Sequence, residues 1–67
     1  MDGAKTKVRI CIHDGWYSFY SKKNGDEVIK SLVDKSIDGG LMCLQNQYGT
    51  TAFINPNQIP VIEIERL

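Results

Sequence analysis

The chain has 67 residues, eight basic and eight acidic side chains, and no formal net charge. This length supports one domain, and a domain of this size buries only about 60 % of the surface its unfolded chain exposes, so its core is marginal. Balanced charge argues against a dedicated nucleic-acid binder, which draws much of its affinity from neutralised phosphates, and no apolar run approaches the roughly 20 residues that cross a bilayer.

Thr6 to His13 reads as the first strand, with Val8, Ile10 and Ile12 on one face and Lys7, Arg9, Cys11 and His13 on the other. Asp14-Gly15 is a two-residue hairpin signal. A second strand, Trp16 to Tyr20, should therefore return antiparallel to the first. It carries four of the chain's six aromatic residues, Trp16, Tyr17, Phe19 and Tyr20, followed by Lys22 and Lys23. Strand alternation sends Trp16 and Tyr20 to one side and Tyr17 and Phe19 to the other, so one pair belongs to the core.

A helix follows. Asn24 and Glu27 have the spacing of a capping box. Val28, Ile29, Leu32, Val33 and Ile37 form an apolar stripe suited to packing on a sheet, and Asp38-Gly39-Gly40 ends it, with Gly39 as the left-handed cap. Leu41 to Asn46, Thr50 to Ile54 and Pro60 to Arg66 read as three further strands. Gln47-Tyr48-Gly49 and Asn55-Pro56-Asn57 supply the turns between them. The expected architecture is a single α+β domain over residues 1–67, in the order β-β-α-β-β-β: a twisted antiparallel sheet, free to curl toward a small barrel, covered by one helix.

Catalytic signals are weak. Cys11 and His13 would be neighbours on one strand face, but no third group or nucleophile elbow accompanies them. Two such ligands fall short of the four a structural zinc takes, even with Cys43 as a third. Asp34 with Asp38, and Glu63 with Glu65, look like solvated faces of amphipathic elements. Neither Walker-type nor dinucleotide-binding glycine patterns occur. The expectation is a protein that is not an enzyme and has no cofactor or metal.

Cys11 and Cys43 have no paired spacing, and the opening MDGAKTKVR lacks the apolar region of a signal peptide. Reduced thiols, a cytoplasmic location and no membrane association are expected. Self-association then becomes the favoured reinforcement of the small core.

Binding is better signalled. Arg9, Trp16, Tyr17, Tyr20, Lys22 and Lys23 combine cations with stacking surfaces, which suits bases or nucleotides and equally a protein interface. The amide-rich turns add Tyr48 and Asn57 as candidate polar contacts. Residues 1–23 carry five basic against two acidic residues, whereas residues 24–67 carry three against six; the basic portion is the one that holds the aromatic cluster.

The stretch GTTAFINPNQIPVIEIE, residues 49 to 65, resembles the ending of small FlbD-type flagellar proteins and of many short uncharacterised proteins from bacteriophages and Gram-positive bacteria. The aromatic strand WYSFY is absent from that pattern. The resemblance implies a small sheet-forming protein, often phage-encoded, with no catalytic residues to carry over. Phage proteins of this size frequently inhibit host systems, including defence systems. The resulting expectation is a small homo-oligomeric binding or inhibitor protein in the cytoplasm, that of the host cell if phage-encoded. It would mask a host protein or sequester a small anionic, nucleotide-like ligand. A nucleic-acid-binding small barrel, or an assembly subunit of a virion or flagellum, is the alternative.

Overall fold

The computed structural model describes residues 3–13 and 15–67. Five strands and one α-helix follow the expected order: β1 (Thr6–Ile12), β2 (Gly15–Ser21), α1 (Gly25–Asp38), β3 (Met42–Gln45), β4 (Thr51–Ile54) and β5 (Val61–Arg66), with a short 3-10 turn at Pro56–Gln58. All neighbouring strands are antiparallel, in the spatial order β4-β3-β2-β1-β5. The sheet stays open, with β4 and β5 as its edges, and does not curl into a barrel.

Alternation sorts the side chains as strand geometry requires. Val8 and Ile10 on β1 lie opposite Phe19 and Tyr17 on β2, and opposite Ile64 and Ile62 on β5. Together with Val28, Met42, Leu44 and Ile54, the residues Val8, Ile10 and Phe19 form the core beneath the helix. Val8 and Ile10, on β1 between β2 and β5, are 0 % and 1 % exposed. Of the two ring pairs, Tyr17 and Phe19 therefore share the helix side, while Trp16 and Tyr20 share the open side. Phe19 is buried, but Tyr17 sits near the hairpin end and stays half exposed.

The hairpin turn differs from the sequence expectation by one residue. Ile12 pairs with Gly15, so Gly15 already belongs to β2 and His13 to the connection. Asp14 itself lies outside the described residues. His13 takes the left-handed φ of +35°, the region that the first residue of a two-residue hairpin turn occupies. Strand β1 therefore ends at Ile12, and His13 is not a strand-face neighbour of Cys11. The terminal residues of the other strands shift by one position, as fraying ends do.

Helix α1 begins as the capping pattern requires: Asn24 Oδ1 accepts from the Glu27 N–H at 2.9 Å. It ends at Gly39, whose φ of 76° lets its N–H reach the Lys35 carbonyl. Thr6, fully buried at the strand's start, donates through Oγ1 to the Lys23 carbonyl at 2.8 Å and so ties the β2–α1 connection to the sheet. At the helix start, Gly25 lies under Arg66; a Cβ there would stand 2.9 Å from Arg66 Nε. Arg66 in turn pairs with Asp26 at 2.8 Å.

The segment between β4 and β5 must pass from one edge of the sheet to the other. It does so on the helix side, where Pro56 is buried and Asn57 Nδ2 donates to the Ser36 carbonyl at 2.9 Å. The apolar stripe of α1 is wider than this cover. Val28 is buried and Leu32 partly so, but Ile29, Val33 and Ile37 are 38 %, 47 % and 80 % exposed. No helix among the described residues is long and apolar enough to cross a membrane.

Candidate functional site

The open face of the sheet carries Lys7, Arg9 and Cys11 on β1, and Trp16, Ser18 and Tyr20 on β2. Val61, Glu63 and Glu65 lie across from β1 on the other side, while Cys43 and Phe53 continue the face over β3 and β4. At its centre the Arg9 guanidinium lies 4.7 Å from the centroid of the Trp16 ring and donates through Nη1 to Glu63 Oε1 at 2.9 Å. This arrangement holds the arginine as a flat plate between a ring and a carboxylate. The ion pair itself is solvated, so its contribution to stability is at most about 1 kcal/mol. Lys7 and Glu65 face each other in the adjacent pair, so the β1–β5 half of this surface is a ladder of matched charges.

A second constellation forms where the sheet splays. Strand β2 meets β3 at a single register pair, Tyr20 with Gln45. Beyond it, β2 ends at Ser21 and the chain leaves for the connection to α1, while β3 runs back to Met42. Two adjoining cavities open beside this junction. One, of about 270 Å³, lies between α1 and β3 and is lined by Lys23, Lys35, Ser21 and Ser31 over an apolar floor that includes Val28 and Leu41. The other, of about 380 Å³, is lined by Tyr20, Lys22, Lys23 and Gln45. Ser21, Lys23, Cys43 and Leu44 border both. Three lysines and two serine hydroxyls therefore line a cleft whose walls contain no carboxylate. Such a lining favours anions, and the Tyr20 ring and apolar floor offer surfaces for a planar group.

The eight residues singled out from the sequence are thus divided. Arg9 and Trp16 meet on the open face; Tyr20, Lys22 and Lys23 meet at the splayed junction. Tyr17 lies on the helix side near the hairpin end and lines neither cavity. Tyr48 is 82 % exposed in the β3–β4 turn and lines neither cavity. Asn57 holds the 3-10 turn against α1 through its bond to Ser36. Sequence reasoning missed Lys35 and Ser31, which reach the cleft from the helix, and Glu63, which pairs with Arg9 from the far end of the chain. Cys11 is half-buried and Cys43 exposed, both as free thiols. Among the described residues no group of histidine, cysteine and carboxylate side chains is arranged to hold a metal ion.

Protein-family models give no match to this chain, and neither do the curated proteins. Its functional reading therefore rests on the two constellations themselves.

Proposed function

We propose that this chain is a non-catalytic, homo-oligomeric binding protein that sequesters a small anionic, nucleotide-like ligand in the cleft at the β2–β3 junction. The observation that carries this reading is the convergence of Lys22, Lys23 and Lys35 on a cleft without a lining carboxylate. Lysine ammonium groups bind phosphate as point charges. The Ser21 and Ser31 hydroxyls can donate further bonds, and Tyr20 offers a stacking face. Such a protein acts by occupancy, removing its ligand from solution.

The test is thermal unfolding against a panel of mononucleotides, cyclic nucleotides and dinucleotides. A ligand present at 100 times its Kd adds about 2.7 kcal/mol to stability, enough to raise the Tm of a domain this size by at least several degrees. The Lys23→Ala/Lys35→Ala double variant should keep its fold and lose that rise. A flat response across the panel from the folded wild type overturns the ligand reading.

One observation favours a second reading, in which the open face masks a protein target. Trp16 is 46 % exposed and Phe53 68 %, and tryptophan and arginine are frequent anchors of protein interfaces. A nucleic-acid role draws less support, because Glu63 and Glu65 interrupt the cations of that face.

A further inference from the structure

The exposed stripe of α1 offers an interaction surface on the flank of the helix opposite the cleft. Ile29, Val33 and Ile37 recur every fourth residue, and each such step turns about 40° beyond a full helical turn. The stripe therefore winds off the sheet, and its exposure rises along the helix from 38 % through 47 % to 80 %. Ser31 and Lys35 on the other flank face β3 across the cleft. Three β-branched apolar side chains on one ridge are more than scattered surface residues.

We infer that this ridge is the seam of a homodimer, in which two α1 helices pack antiparallel about a two-fold axis passing near Val33. This deepens the self-association part of the proposed function and stands apart from the anion cleft. In such a pair Val33 meets its copy, and Ile29 meets Ile37 of the other protomer. Ridges spaced at four residues interlock with one another in the commonest mode of helix packing.

Charge complementarity selects a second copy as the occupant. Lys30 and Asp34 border the ridge on its outer flank, four residues apart and both exposed. Among the described residues neither takes part in an ion pair. A two-fold axis brings this flank against the same flank of the other protomer, running in reverse. Lys30 then falls within a turn of Asp34 from the other helix, and the symmetry makes the contact twice. A parallel pair would instead place the two flanks on opposite sides of the seam, where Lys30 and Asp34 of one helix do not meet those of the other.

Sedimentation equilibrium at micromolar concentration tests the seam. The wild type should sediment as a dimer of the 7.6 kDa chain, and Val33→Glu as a folded monomer. Lys30→Glu and Asp34→Lys, each alone, should weaken the dimer at least tenfold through like-charge contacts. Mixed in equal amounts, those two variants should form a heterodimer, because one then presents two anions and the other two cations along the flank. Circular dichroism of each variant establishes that it is folded, and the surface pair keeps the test decisive if Val33→Glu is not. A monomeric wild type overturns self-association altogether. A dimer that survives all three substitutions overturns the seam alone, and anion binding, read separately from the thermal shift, decides the cleft.

Discussion

Seven residue pairs join β1 to β2 and six join β1 to β5, whereas one pair, Tyr20 with Gln45, joins β2 to β3. The molecule thus has a tightly registered three-stranded block and a β3–β4 hairpin hinged to it. The block contains the most deeply buried residues, Thr6, Val8 and Ile10. The hairpin contributes Met42, Leu44 and Ile54 to the same core, yet the cleft opens along its border. A small protein that concentrates its backbone pairing in one half can leave the other half room for a ligand.

This contrast can be broken most severely at its strong end. Ile10→Ala should cost about 2–5 kcal/mol, against a total stability of roughly 3–10 kcal/mol for a chain this long. Urea unfolding should show a large fall in the midpoint, or a chain already unfolded in buffer.

Gly49→Ala attacks the hinged half. Gly49 holds a φ of +83° in the β3–β4 turn, where an L side chain costs on the order of 1–2 kcal/mol. Asn46 Oδ1 accepts from the Tyr48 and Thr50 N–H groups at 2.9 and 3.0 Å, so the rest of the turn remains templated. Hydrogen exchange should accelerate in β3 and β4 more than in β1 and β2. Equal acceleration across all strands would show one cooperative unit in place of block and hairpin.

The smallest effect is expected on the open face of the block. Arg9→Ala removes a solvated ion pair and a stacking contact, together about 1 kcal/mol or less. Trp16 emission should shift more visibly than the unfolding midpoint. A loss comparable to that of Ile10→Ala would mean that the open face is covered by something that Arg9 holds in place.

Much of the block was legible because β-strand alternation is local. Val8, Ile10 and Ile12 announce their shared face, and the same rule divides Trp16 and Tyr20 from Tyr17 and Phe19. The helix was legible at both ends because Asn24 and Gly39 act through bonds to residues three or four positions away. The turn shows where local signals tie: Asp14-Gly15 is the better dipeptide, but ladder register takes Gly15 into β2 and leaves His13 with the left-handed φ.

The candidate site was legible only in part. Tyr20, Lys22 and Lys23 are contiguous, whereas Lys35 and Ser31 reach the same cleft only because the β2–β3 ladder stops after one pair. Nothing local encodes that stop. The Arg9–Glu63 contact spans 54 positions and follows from the chain's return across the sheet. How much of the helix stripe the sheet would cover was likewise set by the width and placement of the covering layers, not by the periodicity of the stripe.

Strand β5 leaves one long edge of the sheet with unpaired backbone groups, the kind of edge through which β proteins polymerise. Its alternation of Ile62 and Ile64 with Glu63 and Glu65 governs what can add there. If another β5 docks so that the apolar faces of both sheets stay on the same side, Glu63 falls opposite either itself or Glu65. Shifting by one residue relieves the acids but turns the neighbour's isoleucines to the wrong side. The acids that such docking brings together thus discourage copies of this edge from adding to one another as a cross-β ladder.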